Sequence, residues 1–202
     1  TVDELSGNTQ NIGAHKDEFI PGLKRLSGAI KDNGSRSVVQ LNHAGRYNFS
    51  FFLDGKQPIA PSAIPSRMTR ETPRELESSE IPDVLDAFAQ AARRVKAAGY
   101  DGVEVLAGTG YLISEFLSPL TNQREDEYGG SLANRSRILV ETVAAIKKEV
   151  GEDFPLICRI NGDDLLDGGM DDESVNTLYL KRSEKSINRL ISIVEDLDAM
   201  KG

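Results

Sequence analysis

The chain has 202 residues, a length that suits one compact domain, and 39% of them are hydrophobic while 28% are charged. This composition is typical of globular proteins. The 32 acidic residues outnumber the 24 basic residues and give a net charge of -8, which opposes binding to nucleic acid or to an anionic membrane surface. No apolar run is long enough for a membrane span, and the first ten residues lack the basic and apolar regions of a signal peptide. We therefore expect a cytoplasmic protein without nucleic-acid or membrane partners.

The cysteine and histidine content argues against a metal site. Cys158 is the only cysteine, so the chain can form neither an internal disulfide nor a multi-cysteine metal site. The two histidines, His15 and His43, are not at the spacing of metal ligands. We expect no metal and interpret Cys158 as an inert thiol within a buried strand.

The first predicted elements are a helix, a strand and a long loop. Apolar residues at helical spacing predict a helix over residues 17–33, which ends at Asn33-Gly34. Its predicted inner face consists of Phe19, Leu23, Leu26 and Ile30. A β-branched run predicts a buried strand over residues 37–41. Residues 47–79 carry four of the eight prolines and no sustained period, which predicts a long loop, and loops of this length are often functional.

Two further helix and strand pairs follow. A helix is predicted over residues 82–98, with Val84, Phe88, Ala91 and Val95 in its apolar stripe, and a strand over residues 101–106. After a loop, Ser131 is suited to cap a third helix that ends at Gly151, and residues 155–160 form a third strand. This alternation is typical of a parallel α/β sheet or barrel. From residue 171 onward a charged helical stripe follows without another strand candidate.

Four polar residues near the ends of the predicted strands have two interpretations each. Arg159 ends an apolar segment, so it either meets an anionic or electron-rich partner or turns outward to a salt bridge. Gln40 could bind a polar ligand or satisfy a neighbouring loop. Tyr111 could hold a reactive proton or only pack. His43 could be functional or could be satisfied by the local backbone.

Three segments together resemble the old yellow enzyme family of NADH:flavin oxidoreductases. They are QLNHAGR at residues 40–46, GYLISEFLSPLTNQREDEYGGSLANRSR at residues 110–137 and CRINGDDLLDGG at residues 158–169. The GYL segment, without a histidine before it, is similar to the 2,4-dienoyl-CoA reductase and enoate reductase branch. The resemblance covers about residues 10–170. It implies an α/β fold that is a partial TIM (β/α)8 barrel, with about three to four βα units recognisable.

The resemblance implies an FMN-dependent ene-reductase. Such an enzyme reduces the activated C=C bond of an unsaturated carbonyl compound or enoyl thioester with hydride that FMN takes from NADH or NADPH. Gln40 resembles the family glutamine that bonds the pyrimidine edge of the flavin. Arg159 resembles the arginine near flavin N1 and O2, where a positive charge stabilises the reduced flavin.

The same resemblance assigns candidates for the substrate side. Tyr111 corresponds to the tyrosine that serves as proton donor in the dienoyl-CoA branch. In typical old yellow enzymes a pair of residues shortly before this tyrosine holds the substrate oxygen. Leu106 and Thr109 stand at these positions, so that pair is missing. Thr109 and His43 are the remaining candidates for substrate binding, and no partner histidine for Tyr111 is apparent.

The resemblance also suggests how the chain is organised. We expect residues 1–170 to form a partial FMN-binding barrel and residues 171–202 a charged helical tail that does not match the family. The family's first strands are expected before Thr1 and its phosphate-binding strands after Gly169. Missing strands would leave open sheet edges, which predicts a homo-oligomer. The alternative function is that of a truncated, inactive barrel fragment acting as an oligomeric structural or interaction module.

Within the long second segment, the part from residue 122 to 137 is expected to fix a loop and the start of the following helix. Arg124, Tyr128 and Arg135 are its candidates for a polar network, and a catalytic role for them is the minority interpretation.

Overall fold

The computed structural model describes residues 1–7, 10–171 and 173–175. Contacts divide the chain into two compact units, residues 1–161 and residues 162–202. The helices and strands described below belong to the first unit. Most of the predicted helical tail over residues 171–202 lies outside the described residues.

The first helix and strand form where the sequence predicts them. A short 3-10 turn, Asp17–Phe19, leads into helix α1, Ile20–Lys31, which has a proline in its first turn. Strand β1, Val38–Leu41, follows after a turn at Gly34, whose positive φ of 81° suits glycine.

The inner face of α1 differs from the prediction. Leu23 is buried as expected, whereas Leu26 is 42% exposed and its prediction as an inner residue is wrong. Ser27 lies inside instead, because its hydroxyl group forms hydrogen bonds with the Ser37 hydroxyl and the Gly99 carbonyl, both at 3.1 Å. These hydrogen bonds compensate the burial of the Ser27 hydroxyl group.

The predicted loop over residues 47–79 contains regular structure that the sequence pattern does not reveal. Strands β2, Ile59–Ala60, and β3, Arg74–Glu75, form a two-residue parallel pair. Such short strands carry no detectable period of two. The prediction of a loop without strands was wrong here.

The middle of the chain confirms its predicted helix and strand. Helix α2 is Ile81–Ala97 and strand β4 is Gly102–Ala107. The predicted stripe of α2 is buried throughout, namely Val84, Phe88, Ala91 and Val95.

Three helices lie between β4 and the last strand. Helix α3, Leu112–Leu117, was not predicted, since all six of its residues are buried and no amphipathic stripe marks it. Helix α4, Leu132–Arg135, begins with the predicted cap, the Ser131 hydroxyl accepting a hydrogen bond from the Asn134 N–H at 3.3 Å. Helix α5, Arg137–Val150, follows after a break at Ser136 that the sequence pattern misses. Strand β5 is Leu156–Ile160.

Strands β1, β4 and β5 form a parallel sheet in chain order, as predicted. Helix α2 packs against β1 and β4, and α5 packs along α2. Alternate side chains of the sheet point toward this helical layer and are fully buried, namely Leu41, Val103, Val105 and Ala107. The opposite face carries Gln40 and Arg159, which are exposed. We refer to it as the open face. No helix in the described part of the chain is long and apolar enough to cross a membrane.

Candidate functional site

The three parallel strands end at the same edge of the sheet. There β1 leads into residues 42–47, β4 into residues 108–111 and β5 into Asn161. In parallel α/β proteins this carboxyl edge is where ligands and reacting groups are held. The predicted site residues converge on this edge.

Gln40 and Arg159 lie on the open face near this edge. Gln40 is directly opposite Glu104, and Arg159 is opposite Leu106. The spacing of parallel strands puts the Cα atoms of Gln40 and Arg159 about 12 Å apart. The Gln40 Nε2 donates a hydrogen bond to Glu104 Oε1. Arg159 is exposed and forms no ion pair with any described residue, so the predicted alternative of an outward salt bridge is not formed within this part of the chain.

This pair of side chains suits the pyrimidine side of FMN. With one N–H bonded to Glu104, the Gln40 amide retains an N–H donor and a carbonyl acceptor. The guanidinium of Arg159, which has no ion-pair partner among the described residues, supplies charge and several donors toward the same face. A donor and an acceptor beside a positive charge match an imide edge that becomes anionic on reduction. The residues present therefore fit the cofactor that the resemblance implies.

The loop after β4 is held by side chains from two other segments. Thr109 adopts a positive φ of 60° and donates its N–H to Asn161 Oδ1 at 2.9 Å. Gly110 has a φ of 80°, and a Cβ there would lie 2.5 Å from Tyr47 Cε2. The Tyr47 ring also meets the Tyr111 ring edge to face, with the centroids 6.2 Å apart. These contacts fix the direction in which Tyr111 leaves the loop.

Tyr111 itself has an anchored backbone and an available hydroxyl. Its carbonyl oxygen accepts hydrogen bonds from the Glu115 N–H at 2.8 Å and the Ser114 hydroxyl at 3.0 Å, which fasten it to the start of α3. The side chain is half-buried, and its hydroxyl makes no hydrogen bond to any residue that the structure describes. The nearby Thr109 hydroxyl donates to the Gly108 carbonyl at 2.8 Å and can still accept a hydrogen bond.

His43 is buried beneath this loop. Its Nδ1 accepts a hydrogen bond from the Gly45 N–H at 3.1 Å, and its carbonyl oxygen accepts one from the Leu112 N–H at 3.0 Å. Nε2 lies 3.5 Å from Asp3 Oδ2 without forming a hydrogen bond. Burial lowers the pKa of His43, so the ring is neutral at neutral pH. The local backbone therefore satisfies only Nδ1, while the buried Nε2 has no hydrogen-bond partner among the described residues. Contact with a ligand requires the cover of the ring to move.

Glu115 is a residue that sequence reasoning missed. It is 1% exposed, and its Oε1 accepts the Arg46 N–H at 3.0 Å. Burial raises the pKa of its carboxyl group well above the usual value. Gly45 makes room for it, since a Cβ at that position would lie 2.5 Å from Glu115 Oε1. The signal in the sequence is a single charge within the apolar run of residues 111–117.

Arg124 joins three segments of the protein, as its predicted structural role requires. Its guanidinium is 4% exposed and is paired with Asp126. It also donates hydrogen bonds to the carbonyl oxygens of Pro61 and Leu76 and to the Ser78 hydroxyl, at 3.1, 2.5 and 2.8 Å. These bonds tie the loop after α3 to the β2 and β3 pair.

Tyr128 shares Asp126 with Arg124 through its backbone N–H, which donates to Asp126 Oδ1 at 3.0 Å, while the side chains of Tyr128 and Arg135 have further partners. The Tyr128 hydroxyl donates to Glu141 at 2.8 Å, and burial together with this carboxylate raises the pKa of Tyr128 to about 12. Arg135 donates to the Leu117 carbonyl at 2.7 Å. Among the described residues, no three histidine, cysteine, aspartate or glutamate side chains are placed to hold a metal ion.

Comparison with known proteins gives relatives over nearly the whole chain. A metal reductase of Desulforamulus reducens is 45% identical over 174 residues, which are 86% of this chain and 26% of the relative. An NADPH dehydrogenase of Bacillus velezensis is 46% identical over 162 residues, which are 80% of this chain and 46% of the relative. The chain thus spans about a quarter to a half of the length of these relatives.

Comparison with solved structures also gives relatives that cover most of this chain. The 2-naphthoyl-CoA reductase complex with 2-naphthoyl-CoA superposes with a TM-score of 0.83 at 39% identity, covering 88% of this chain and 29% of that one. Morphinone reductase in complex with tetrahydroNAD superposes with a TM-score of 0.81 at 33% identity, covering 89% of this chain and 54% of that one. These relatives are TIM barrels, so the parallel sheet and its helices are part of such a barrel.

The match to the family NADH:flavin oxidoreductase / NADH oxidase extends over residues 2–198, across the domain boundary predicted at residue 170. Together with the strand-end arrangement of Gln40 and Arg159, this match supports the resemblance of the three sequence segments. The chain belongs to the NADH:flavin oxidoreductase / NADH oxidase family, the old yellow enzymes, whose cofactor is FMN and whose reductant is NADH or NADPH.

Proposed function

We propose that the chain is the flavin-contacting part of an ene-reductase, which reduces an activated C=C bond with hydride from NADH or NADPH. The observation that carries this proposal is the position of Gln40 and Arg159 on the open face, at the carboxyl ends of two strands of one parallel sheet. An inactive barrel fragment is the alternative, and the experiments below separate the two.

The two cofactor residues have different tasks. Gln40 binds the pyrimidine edge with the donor and acceptor that Glu104 leaves available. Arg159 provides a positive charge that no described residue pairs with, and this charge favours the reduced, anionic cofactor. Gln40 and Arg159 would hold FMN, which would supply hydride chemistry between the nicotinamide and one carbon of the double bond.

Tyr111 supplies the proton for the other carbon. Its hydroxyl is at the carboxyl edge of the sheet and unbonded to described residues, so it can approach a substrate. Thr109 lies two residues before it and offers a hydroxyl oxygen as acceptor toward substrate. His43 can bind substrate only after the residues that cover it move, because its ring is buried.

The substrate class follows from the chemistry and the relatives. Hydride addition requires a C=C bond activated by a carbonyl group, as in an unsaturated ketone or an enoyl thioester. A reductase solved with a bound naphthoyl thioester and a morphinone reductase are both similar to this chain. A cytoplasmic location stays a prediction from composition.

Binding of FMN is the first test. We expect the purified chain to quench FMN fluorescence and to acquire the visible absorption band of bound flavin. Arg159→Ala should weaken binding about tenfold, since it removes a charged hydrogen-bonding group. Arg36→Ala is the matched control, because Arg36 is exposed and pairs with Asp101 before the strands begin. If the chain retains no flavin absorbance after FMN is added and the unbound FMN is removed, the proposal is contradicted and the inactive fragment is favoured.

Tyr111→Phe tests the proton donor. The variant keeps the ring that packs against Tyr47 and removes only the hydroxyl. We expect reduction of the flavin by the nicotinamide to continue at its normal rate, while turnover of an enone falls about 100-fold. Stopped-flow absorbance separates the two half-reactions. Tyr100→Phe is the control, and unchanged enone turnover in Tyr111→Phe would remove Tyr111 from the mechanism.

A further inference from the structure

The open face of the sheet carries a polar pair, Gln40 and Glu104, of which the resemblance gives a role only to Gln40. Gln40 in β1 and Glu104 in β4 are register partners, and the Gln40 Nε2 donates to Glu104 Oε1. We infer that Glu104 is a positioning residue which fixes the orientation of the Gln40 amide toward FMN. This inference rests on the proposed function and extends it to a residue that does not itself need to touch the cofactor.

The backbone brings the two side chains together without strain. Register partners in neighbouring strands have their Cβ atoms about 5 Å apart and pointing to the same face. Gln40 and Glu104 are such partners, with Ile157 of β5 opposite Glu104 on its other side. Because the Ile157 side chain is apolar, it offers Glu104 no hydrogen bond that competes with the one to Gln40.

The chemistry of the pair determines which way the amide points. An amide has an NH2 end and a carbonyl end of nearly equal size, whereas an ionised carboxylate only accepts hydrogen bonds. Glu104 therefore attracts the NH2 end of Gln40 and repels its carbonyl end. Rotation of the amide by half a turn would place two acceptors against each other, so a single donor and acceptor order remains for the ligand.

That order matters because the flavin pyrimidine ring presents a carbonyl group and an N–H side by side. One N–H of Gln40 is bonded to Glu104, and the second N–H and the carbonyl oxygen remain as an adjacent donor and acceptor. Without Glu104 the amide would have to adopt this order at the moment of binding, which lowers affinity.

Stabilisation of the fold does not explain the pair equally well. Gln40 is exposed and Glu104 is only half-buried, and a hydrogen bond between accessible side chains contributes little to stability. Glu104 also forms no ion pair with Arg159, so the charge of Arg159 is not neutralised by it. The pair is thus expected to affect binding more than unfolding.

A double-mutant cycle with FMN as the probe tests the inference. We expect Glu104→Ala to raise the FMN dissociation constant about threefold to tenfold, the cost of ordering one freed side chain on binding. In a Gln40→Ala background the same substitution should have almost no effect. Glu104→Gln can present either its carbonyl oxygen or its NH2 group to Gln40, so it should recover only part of the affinity. Glu18→Ala, at an exposed position in the turn before α1, is the control.

Thermal unfolding of the same variants and an NMR measurement without flavin complete the experiment. The side-chain NH2 signals of Gln40, assigned by their loss in Gln40→Ala, should shift in Glu104→Ala while the melting temperature changes by less than about 2 °C. Unchanged NH2 signals, or additive effects on FMN binding, overturn the inference alone. Failure of the unmodified chain to bind FMN overturns the proposed function and the inference with it.

Discussion

Glu115 places a carboxylic acid in the interior one helical turn beyond Tyr111. Its Oε1 accepts the Arg46 N–H, and its Oε2 has no hydrogen-bond partner among the described residues. Desolvation outweighs this one hydrogen bond, which is why the pKa of the carboxyl group is raised. The folded protein therefore keeps this acid protonated to a higher pH than the unfolded chain does.

The raised pKa of Glu115 predicts a specific pH dependence of stability. Glu115 binds a proton more tightly in the folded state than in the unfolded state. The stabilisation that this proton gives is complete below the ordinary pKa of 4.5, and it decreases as the pH rises toward the pKa of the folded state. Glu115→Gln keeps the acceptor and removes this decrease. We expect the variant to gain stability relative to the parent by at most about 1.4 kcal/mol per pH unit above that point.

Urea unfolding of both proteins between pH 4 and pH 8 measures the difference. Glu152→Gln, an exposed position after α5, serves as the control and should show a constant difference. Parallel stability curves for Glu115→Gln and the parent would contradict a buried neutral acid.

At the scale of elements, the loop between α3 and α4 depends on close backbone contact. Arg124 ties this loop to the β2 and β3 pair, and Gly129 packs directly against the Arg124 backbone. A Cβ at Gly129 would lie 1.9 Å from the Arg124 carbonyl oxygen, whereas nothing lies within 4 Å of a Cβ at Gly130. Gly130 instead has a positive φ of 74°.

These neighbouring glycines give a matched pair of substitutions. Gly130→Ala should cost about 1–2 kcal/mol, because alanine is strained in the left-handed region. Gly129→Ala should cost more than about 3 kcal/mol, since the loop backbone must move. Denaturant unfolding measures the free energy of unfolding of both variants. Equal decreases would contradict the prediction, because they would mean that the loop backbone moves at Gly129 at little energetic cost.

At the scale of the whole molecule, the described sheet has a covered face and an open face. Helices cover one face, while Val38, Gln40 and Arg159 are exposed on the other. Strands β1 and β5 are the two edges of this sheet. Unpaired edges of this kind favour association with another chain.

We therefore expect the isolated chain to self-associate. Analytical ultracentrifugation should show a mass that rises with concentration. Val38→Lys adds a charge to the open face at an edge strand and should weaken association. Leu26→Lys changes an exposed apolar position of helix α1, away from the open face. This control substitution should leave self-association unchanged. A monomer that melts cooperatively across a wide concentration range would disprove this prediction.

Much of the fold could be predicted because local patterns specify it. The stripe of α2 repeats every three to four residues and is buried as expected. The cap at Ser131 is a single-residue signal that the structure confirms. Helix α3 and the β2 and β3 pair escaped prediction because one is buried on all sides and the others are two residues long.

The sequence by itself determined the order of strands, the family and the placing of Gln40 and Arg159 at strand ends, because these depend on short motifs and residue periodicity. Only the tertiary structure decided that Glu104 bonds Gln40 across 64 residues and that Asn161 holds Thr109 across 52. Such contacts follow from strand register, which depends on packing of the whole sheet. Likewise the raised pKa of Glu115 comes from burial beside Gly45, since no local pattern specifies the solvent exposure of a single side chain.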